Sequence, residues 1–207
     1  MRIKQILAQR KDIWRGQDNP LPAIHYLPSG FAAIDQQLGG WASGCVIELL
    51  MPTDQQEQLS LLQPLMSRCT QAQDWVVWVA PPHLPYAPGL AHQGIDLNRL
   101  LIVHPKSVSD QLWAMDQLLR QRFCAVMLSW CRPIQTQHIR RLQLAAAQNQ
   151  TTVFLIRDDA QATQASPAGF RFQVRRRGGQ CLQLVTLKGR GISSHRPIML
   201  ESTHAVA

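Results

Sequence analysis

Long apolar runs are missing from this chain of 207 residues. The longest, such as Trp75 to Pro82 and Cys124 to Leu128, fall far short of the ~20 residues that a bilayer-spanning helix needs. The basic N-terminus has no continuous apolar segment of the kind a secretory signal carries. Both absences predict a cytoplasmic chain with no membrane partner. Charged residues are few, 16% beside 45% hydrophobic, which excludes a disordered polyelectrolyte and fits one sizeable core. Cysteine supplies no framework. Cys45, Cys69, Cys124, Cys131 and Cys181 are odd in number and scattered through mostly apolar runs, so they read as reduced core residues without metal-ligand spacing.

Acid is missing from one long stretch. Between Ala160 and Leu200 there is no Asp or Glu, but there are seven cations: Arg171, Arg175, Arg176, Arg177, Lys188, Arg190 and Arg196. That stretch carries +7 of the net charge of +8, leaving 14 basic residues against 13 acidic elsewhere. An anionic partner accounts for the asymmetry, and so does a basic hairpin that is merely solvated.

The most informative absence lies at residues 51–58. The chain from Leu27 approaches a phosphate-binding loop: Ser29-Gly30-Phe31, Ile34-Asp35, Leu38-Gly39-Gly40, Gly44, the strand-like run Cys45 to Leu50, then a loop before the apolar-periodic Leu59 to Leu62. A working loop needs glycines whose N–H groups turn onto phosphate, and a lysine followed by Ser or Thr. Here it reads Met51-Pro52-Thr53-Asp54-Gln55-Gln56-Glu57-Gln58. It holds no glycine and no lysine, and two carboxylates stand where phosphate charge belongs. The sequence thus predicts no nucleotide cofactor, no catalytic residue and no enzyme: binding rather than turnover.

Along the chain, Met1 to Arg15 has near-helical apolar spacing, Gly16 ends it, and Gln17 to Pro22 reads as a linker. Residues 1–22 are expected as a helix and linker, 23–200 as one α/β domain, and 201–207 as a flexible tail. Within the domain, strands are expected at Val46–Leu50, Trp75–Ala80, Leu100–Val103, Ala125–Leu128 and Thr151–Ile156. Helices are expected at Gln58–Cys69, Pro88–Gln93, Gln111–Gln121 (capped by Ser109 beside Asp110) and Gln135–Gln148. Strands apolar throughout, alternating with helices, mean a mostly parallel sheet covered on both faces. Ala160 to Gly169 reads as a mobile loop. The period then switches to two: Phe170, Phe172 and Val174 alternate with Arg171, Gln173 and Arg175. Gly178-Gly179 suits a two-residue turn before Cys181 to Leu187, a hairpin extending the sheet.

The order of elements, with Ser29-Gly30-Phe31-Ala32-Ala33-Ile34-Asp35, Leu38-Gly39-Gly40-Trp41 and Glu48-Leu49-Leu50, resembles the RecA-like P-loop NTPase core over about Leu27 to Lys188. Trp78 to Tyr86, Gly94-Ile95-Asp96-Leu97, Trp113 to Gln117 and Arg140 to Ala147 resemble motifs of the ImuA family and, more distantly, the SulA family. Aligned with the RecA-like core, the phosphate-binding lysine falls on Glu57 and the glycine before it on Gln56. The catalytic carboxylate falls in Ala80-Pro81-Pro82-His83, and the Walker B aspartate in the Leu128-Ser129-Trp130 region, neither with an acid. Losing the lysine and the Mg²⁺-supporting aspartate removes the electrostatic basis of phosphoryl transfer.

The ImuA resemblance implies a non-catalytic accessory protein of SOS-induced mutagenic translesion DNA repair. It would scaffold an ImuB-like polymerase homologue and an error-prone replicative-type polymerase, with RecA or non-specific DNA as further partners. The SulA resemblance implies instead an SOS cell-division inhibitor that binds FtsZ and blocks its polymerisation. Arg175, Arg176, Arg177, Lys188 and Arg190 are the expected DNA- or partner-facing cations, since guanidinium suits backbone phosphates without reading sequence. Trp14 and Trp41 are the expected aromatic anchors, while Trp78 and Trp130 read as core. His83, His92 and His104 share no metal-ligand spacing, and Ser129 lacks the glycines of a nucleophile elbow.

Overall fold

Strands that are apolar on both faces form the centre of the molecule. The computed structural model describes residues 24–52, 57–131, 133–178, 181–190 and 196–201, with residues 57 and 58 described for backbone alone. The expected N-terminal helix and linker, Trp14, and the loop positions Thr53 to Gln56 lie outside the described residues, as does the tail beyond Glu201. A short antiparallel pair, β1 (Tyr26–Leu27) and β2 (Trp41–Ala42), flanks helix α1 (Ala32–Leu38). Then follow β3 (Val46–Met51), α2 (Glu57–Gln71), β4 (Val76–Val79), α3 (Ala87–His92), β5 (Leu100–Val103) and α4 (Val108–Arg120). The chain continues through β6 (Val126–Trp130), α5 (Thr136–Asn149), β7 (Thr152–Asp158), β8 (Phe170–Arg176), β9 (Cys181–Lys188) and β10 (Ile198–Glu201).

Eight strands form the main sheet in the order β10-β9-β8-β3-β7-β6-β4-β5. Every pairing from β8 across to β5 is parallel, and β9 and β10 are antiparallel additions. The fold is mixed α/β with a large, mostly parallel sheet. Alternation along β3 and β7 divides the core: Ile47, Leu49, Met51, Phe154 and Ile156 join Leu61, Leu62, Leu65 and Met66 of α2 on one face. Val46, Val153 and Leu155 meet Met115, Leu119, Ile139, Leu142 and Ala146 of α4 and α5 on the other. This is the two-sided burial that continuous apolar strands require.

The lead-in to β3 docks by close contact. Ser29 N–H donates to Asp35 Oδ1 at 2.8 Å. Gly40 has φ +115, and a Cβ there would lie 2.4 Å from the Leu27 carbonyl oxygen, so only glycine fits. Helix α4 begins earlier than Ser109: Ser107 is its N-cap, accepting from Asp110 N–H and donating to Asp110 Oδ2. The reciprocal Ser-x-x-Asp exchange outcompetes the later serine.

Three features of the C-terminal half depart from the sequence expectation. Strand β8 lies inside the sheet between β3 and β9, so its period of two marks two buried faces rather than one wet one. Arg171 is therefore buried, not surface-facing. Arg177 N–H donates to the Cys181 carbonyl, and four residues, 177–180, rather than two separate β8 from β9. Finally, β10 supplies an unexpected edge strand whose last residue, Glu201, falls where the tail was expected to begin.

Segment 160–169, expected to be mobile, is pinned by charge. Glu48 is fully buried; its carboxylate accepts from Arg157 at 2.7 Å and Arg171 at 2.6 Å. Ser166 Oγ donates to Glu48 Oε1, and Arg171 donates onward to the carbonyls of Gln161 and Ala162. The sequence shows these charges far apart; only the pairing of β3 with β7 and β8 brings them together.

A second ion cluster joins α4 to α5. Asp116 accepts from Arg141 twice, at 3.1 and 2.8 Å, and from Arg120 at 2.8 Å. Burial pushes the Asp116 carboxyl up, but the two arginines outweigh it and hold the carboxyl below its ordinary range. A carboxyl depressed in the folded state contributes stability above its unfolded pKa of about 3.9 and loses it as pH falls through the lower folded value. The urea midpoint is therefore expected to fall more steeply between about pH 5 and pH 2 in the native chain than in Asp116→Asn. Equal slopes in parallel urea titrations would refute the clamp.

Burial raises the thiols of Cys45 and Cys124 to about 12 and those of Cys69 and Cys131 to about 11. Cys181 is only half-buried. One fast thiol is thus expected in a native thiol-exchange titration at pH 8, Cys181, because reaction needs exposed thiolate. Abolition of the fast phase by Cys181→Ser checks the assignment.

Candidate partner-binding surface

The carboxyl edge of the sheet is where parallel α/β folds usually present ligands. At the end of β3, Met51 is buried and Pro52 half-buried, and Glu57 is the first residue of α2. At the end of β6, Ser129 is fully buried; its hydroxyl accepts from Gln111 Nε2 at 3.0 Å and donates to Met115 Sδ. Trp130 stands edge-on to Trp78 with ring centroids 5.6 Å apart. The end of β6, where the RecA-like resemblance would place a metal-supporting carboxylate, is neutral and hydrogen-bonded core.

The loop after β4 is different. Ala80 takes φ +55 and donates its N–H to the Val103 carbonyl at 2.9 Å, turning the chain out of the sheet. Pro81, Pro82 and Pro85 then restrict the backbone, and α3 re-anchors it through buried Leu90 and Ile95. Between these anchors Leu84 is 83% exposed and Tyr86 75%. The Tyr86 ring lies over Gly89, where a Cβ would approach it to 2.9 Å. Two large apolar side chains held outward by a proline-stiffened loop offer contact area at little entropic cost. Trp113, on α4, is also 66% exposed. The signal for this surface is legible in the sequence, as large apolar residues among prolines in Pro81 to Pro88, yet no site was expected there.

The expected basic surface divides. Arg175, Arg176 and Arg177 are exposed at the hairpin tip, with Arg177 Nε donating to Gln183 at 2.8 Å. Lys188 and Arg190 lie at the opposite end of β9, and Lys188 donates to the Ser166 carbonyl. An extended strand of this length separates them by roughly 20–25 Å, so they form two charged regions. Trp41 is not at a surface: it is fully buried, edge-on to Phe154 and Phe172 with centroids 5.4 and 5.7 Å away. The Gly-rich lead-in that suggested exposure folds that indole into the core. His83, His92 and His104 are all exposed. Among the described residues no three His, Cys, Asp or Glu converge on a common point, and no described helix is long and apolar enough to cross a membrane.

The family model "Cell division inhibitor SulA" matches residues 44–153, more than half of the chain, from the approach to β3 into β7. The chain belongs to the SulA family. A SulA cell division inhibitor from Edwardsiella piscicida is 28% identical over 104 residues, 50% of this chain and 62% of that protein. SulA proteins from Yersinia pestis (strain Pestoides F) and Yersinia pseudotuberculosis (serotype O:1b, strain IP 31758) are 24% identical over 115 residues, 56% of this chain and 68% of theirs. The chain thus spans a little under two thirds of the Edwardsiella protein. Membership in the SulA family overturns the translesion-synthesis reading, with its ImuB-like, polymerase, RecA and DNA partners. The SulA-matched segment contains the Leu84–Tyr86 loop, the Asp116 clamp and both tryptophans of the β4–β6 pair.

Proposed function

We propose that this SulA-family chain is a cytoplasmic inhibitor of cell division within the SOS damage response, acting on the division GTPase FtsZ by binding it and blocking its polymerisation. The match over residues 44–153 carries the reading. Its chemistry supports a binder without turnover. The loop at 51–58 lacks glycine and lysine, no acid follows β4 or β6, and phosphoryl transfer depends on such groups. A RecA-like ancestry of the core, inferred from the lead-in at residues 29–42, fits a scaffold retained after its nucleotide chemistry was lost.

The contact surface assigned in this reading is the loop carrying Leu84 and Tyr86, because exposed large apolar side chains mark interaction sites. The test is GTP-driven assembly of FtsZ followed by light scattering, with the purified chain added in increasing amounts. Polymer is expected to fall with dose, approaching completion near one chain per FtsZ, while the chain itself releases no phosphate from ATP. Undiminished assembly in excess chain overturns the proposal.

A further inference from the structure

The amino edge of the sheet, opposite the Leu84–Tyr86 loop, holds a cavity of about 560 Å³. That size falls within the roughly 300–1,000 Å³ of small-molecule sites. Its walls come from the residues leading into β3 and β8, the C-terminal half of α5 and the end of β9. The chemistry of this lining is one-sided. Lys188, Arg190 and His25 are among the lining residues, and among the described residues of the lining there is no Asp or Glu.

The donors are placed by the fold. Lys188 Nζ gives one hydrogen to the Ser166 carbonyl at 2.8 Å, leaving two of its three donors. Gln143 Oε1 accepts from both Val46 N–H at 3.0 Å and Gly169 N–H at 2.8 Å. Two backbone donors fix which end of that amide is oxygen, so its Nε2–H₂ is the end left for the cavity. Arg190 stands exposed at the cavity rim, close enough that its charge opposes the rise that burial gives the Cys45 thiol. Phe170 supplies an apolar wall. Cations and a fixed amide donor, without carboxylate and beside an aromatic ring, select a ligand that is anionic at one end and apolar at the other.

We propose that this cavity binds a small organic anion, its phosphate or carboxylate head facing Lys188 and Arg190 and its apolar body against Phe170. Both cations lie outside residues 44–153, so the site is independent of the division-inhibitor reading and stands or falls apart from it.

The experiment uses the ¹⁵N-labelled full chain titrated with phenyl phosphate, phenylacetate and the neutral benzyl alcohol. Saturable shifts of the Gly44 and Gly169 amides with the two anions, and at least tenfold weaker binding of benzyl alcohol, support the site. A tighter phenyl phosphate assigns a phosphate monoester as the natural head, and a tighter phenylacetate a carboxylate. Lys188→Glu/Arg190→Glu is expected to weaken the anions at least tenfold. Arg190→Glu alone, which breaks no bond seen in the fold, is expected to weaken them several-fold at unchanged melting temperature. Equal affinity for benzyl alcohol, shifts scattered over the surface, or unchanged affinity in Arg190→Glu overturns the proposal.

Discussion

Glu48→Gln is expected to destabilise the fold by about 3–5 kcal/mol, the usual cost of removing one partner from a buried ion pair. For a chain of this size that corresponds to a melting temperature lower by roughly 6–20 °C. The carboxylate is fully buried and meets two guanidinium groups that are themselves nearly inaccessible. Removing its charge leaves two cations facing each other without a counter-ion, and that penalty outweighs the loss of the hydrogen bonds themselves. Arg157→Met removes one cation but leaves Glu48 paired with Arg171, so its loss is expected to be smaller. The simultaneous change Glu48→Leu/Arg157→Met/Arg171→Met is expected to recover most of the loss, since buried ions replaced by apolar groups of similar volume are often neutral or better. Urea unfolding of the three variants checks the order. A loss below about 1 kcal/mol in Glu48→Gln, the scale of exposed pairs, would mean that water screens the trio and that segment 160–169 is held by other contacts.

This trio also shows how far the sequence was legible. The central strands and helices were readable because each is decided locally, by an apolar run or an apolar stripe of the right period. Leu100–Val103 agrees residue for residue with β5, and the other core elements shift by only a few positions. What failed depended on neighbours distant along the chain. The alternation of Arg171 and Gln173 with Phe170 and Phe172 describes a half-exposed edge strand only if one face meets water. Here β3 and β9 flank β8, and Glu48, 123 positions away in sequence, receives Arg171. Trp41 likewise sits in a glycine-rich segment that looks exposed until Phe154 and Phe172 enclose it.

The functional reading erred for a related reason. The lead-in at residues 27–50 resembles a RecA-like core, and the short motifs from Trp78 to Ala147 resemble the ImuA and SulA families alike. The decisive likeness runs instead through residues 44–153, where the signal is spread thinly over several short motifs. The absence of glycine and lysine from residues 51–58 carries no information about which macromolecule is bound.

Tyr86→Ala and Leu84→Asp are each expected to raise the concentration needed for half-inhibition of FtsZ assembly by roughly 30-fold, since a central aromatic or apolar anchor contributes about 2 kcal/mol or more to an interface. The chain's own stability is expected to change by no more than about 0.5 kcal/mol, because both side chains stand in solvent while Leu90 and Ile95 keep the loop anchored. That separation gives the experiment its force: inhibition is lost while the melting curve is retained. Met199→Ala is the control. Met199 is 48% exposed on β10, outside the SulA-matched residues, and its replacement is expected to leave inhibition intact. Full inhibition by both loop variants would move the contact to another surface, with exposed Trp113 on α4 the next to replace. Loss of inhibition in Met199→Ala as strong as in the loop variants would instead place β10 within the interface.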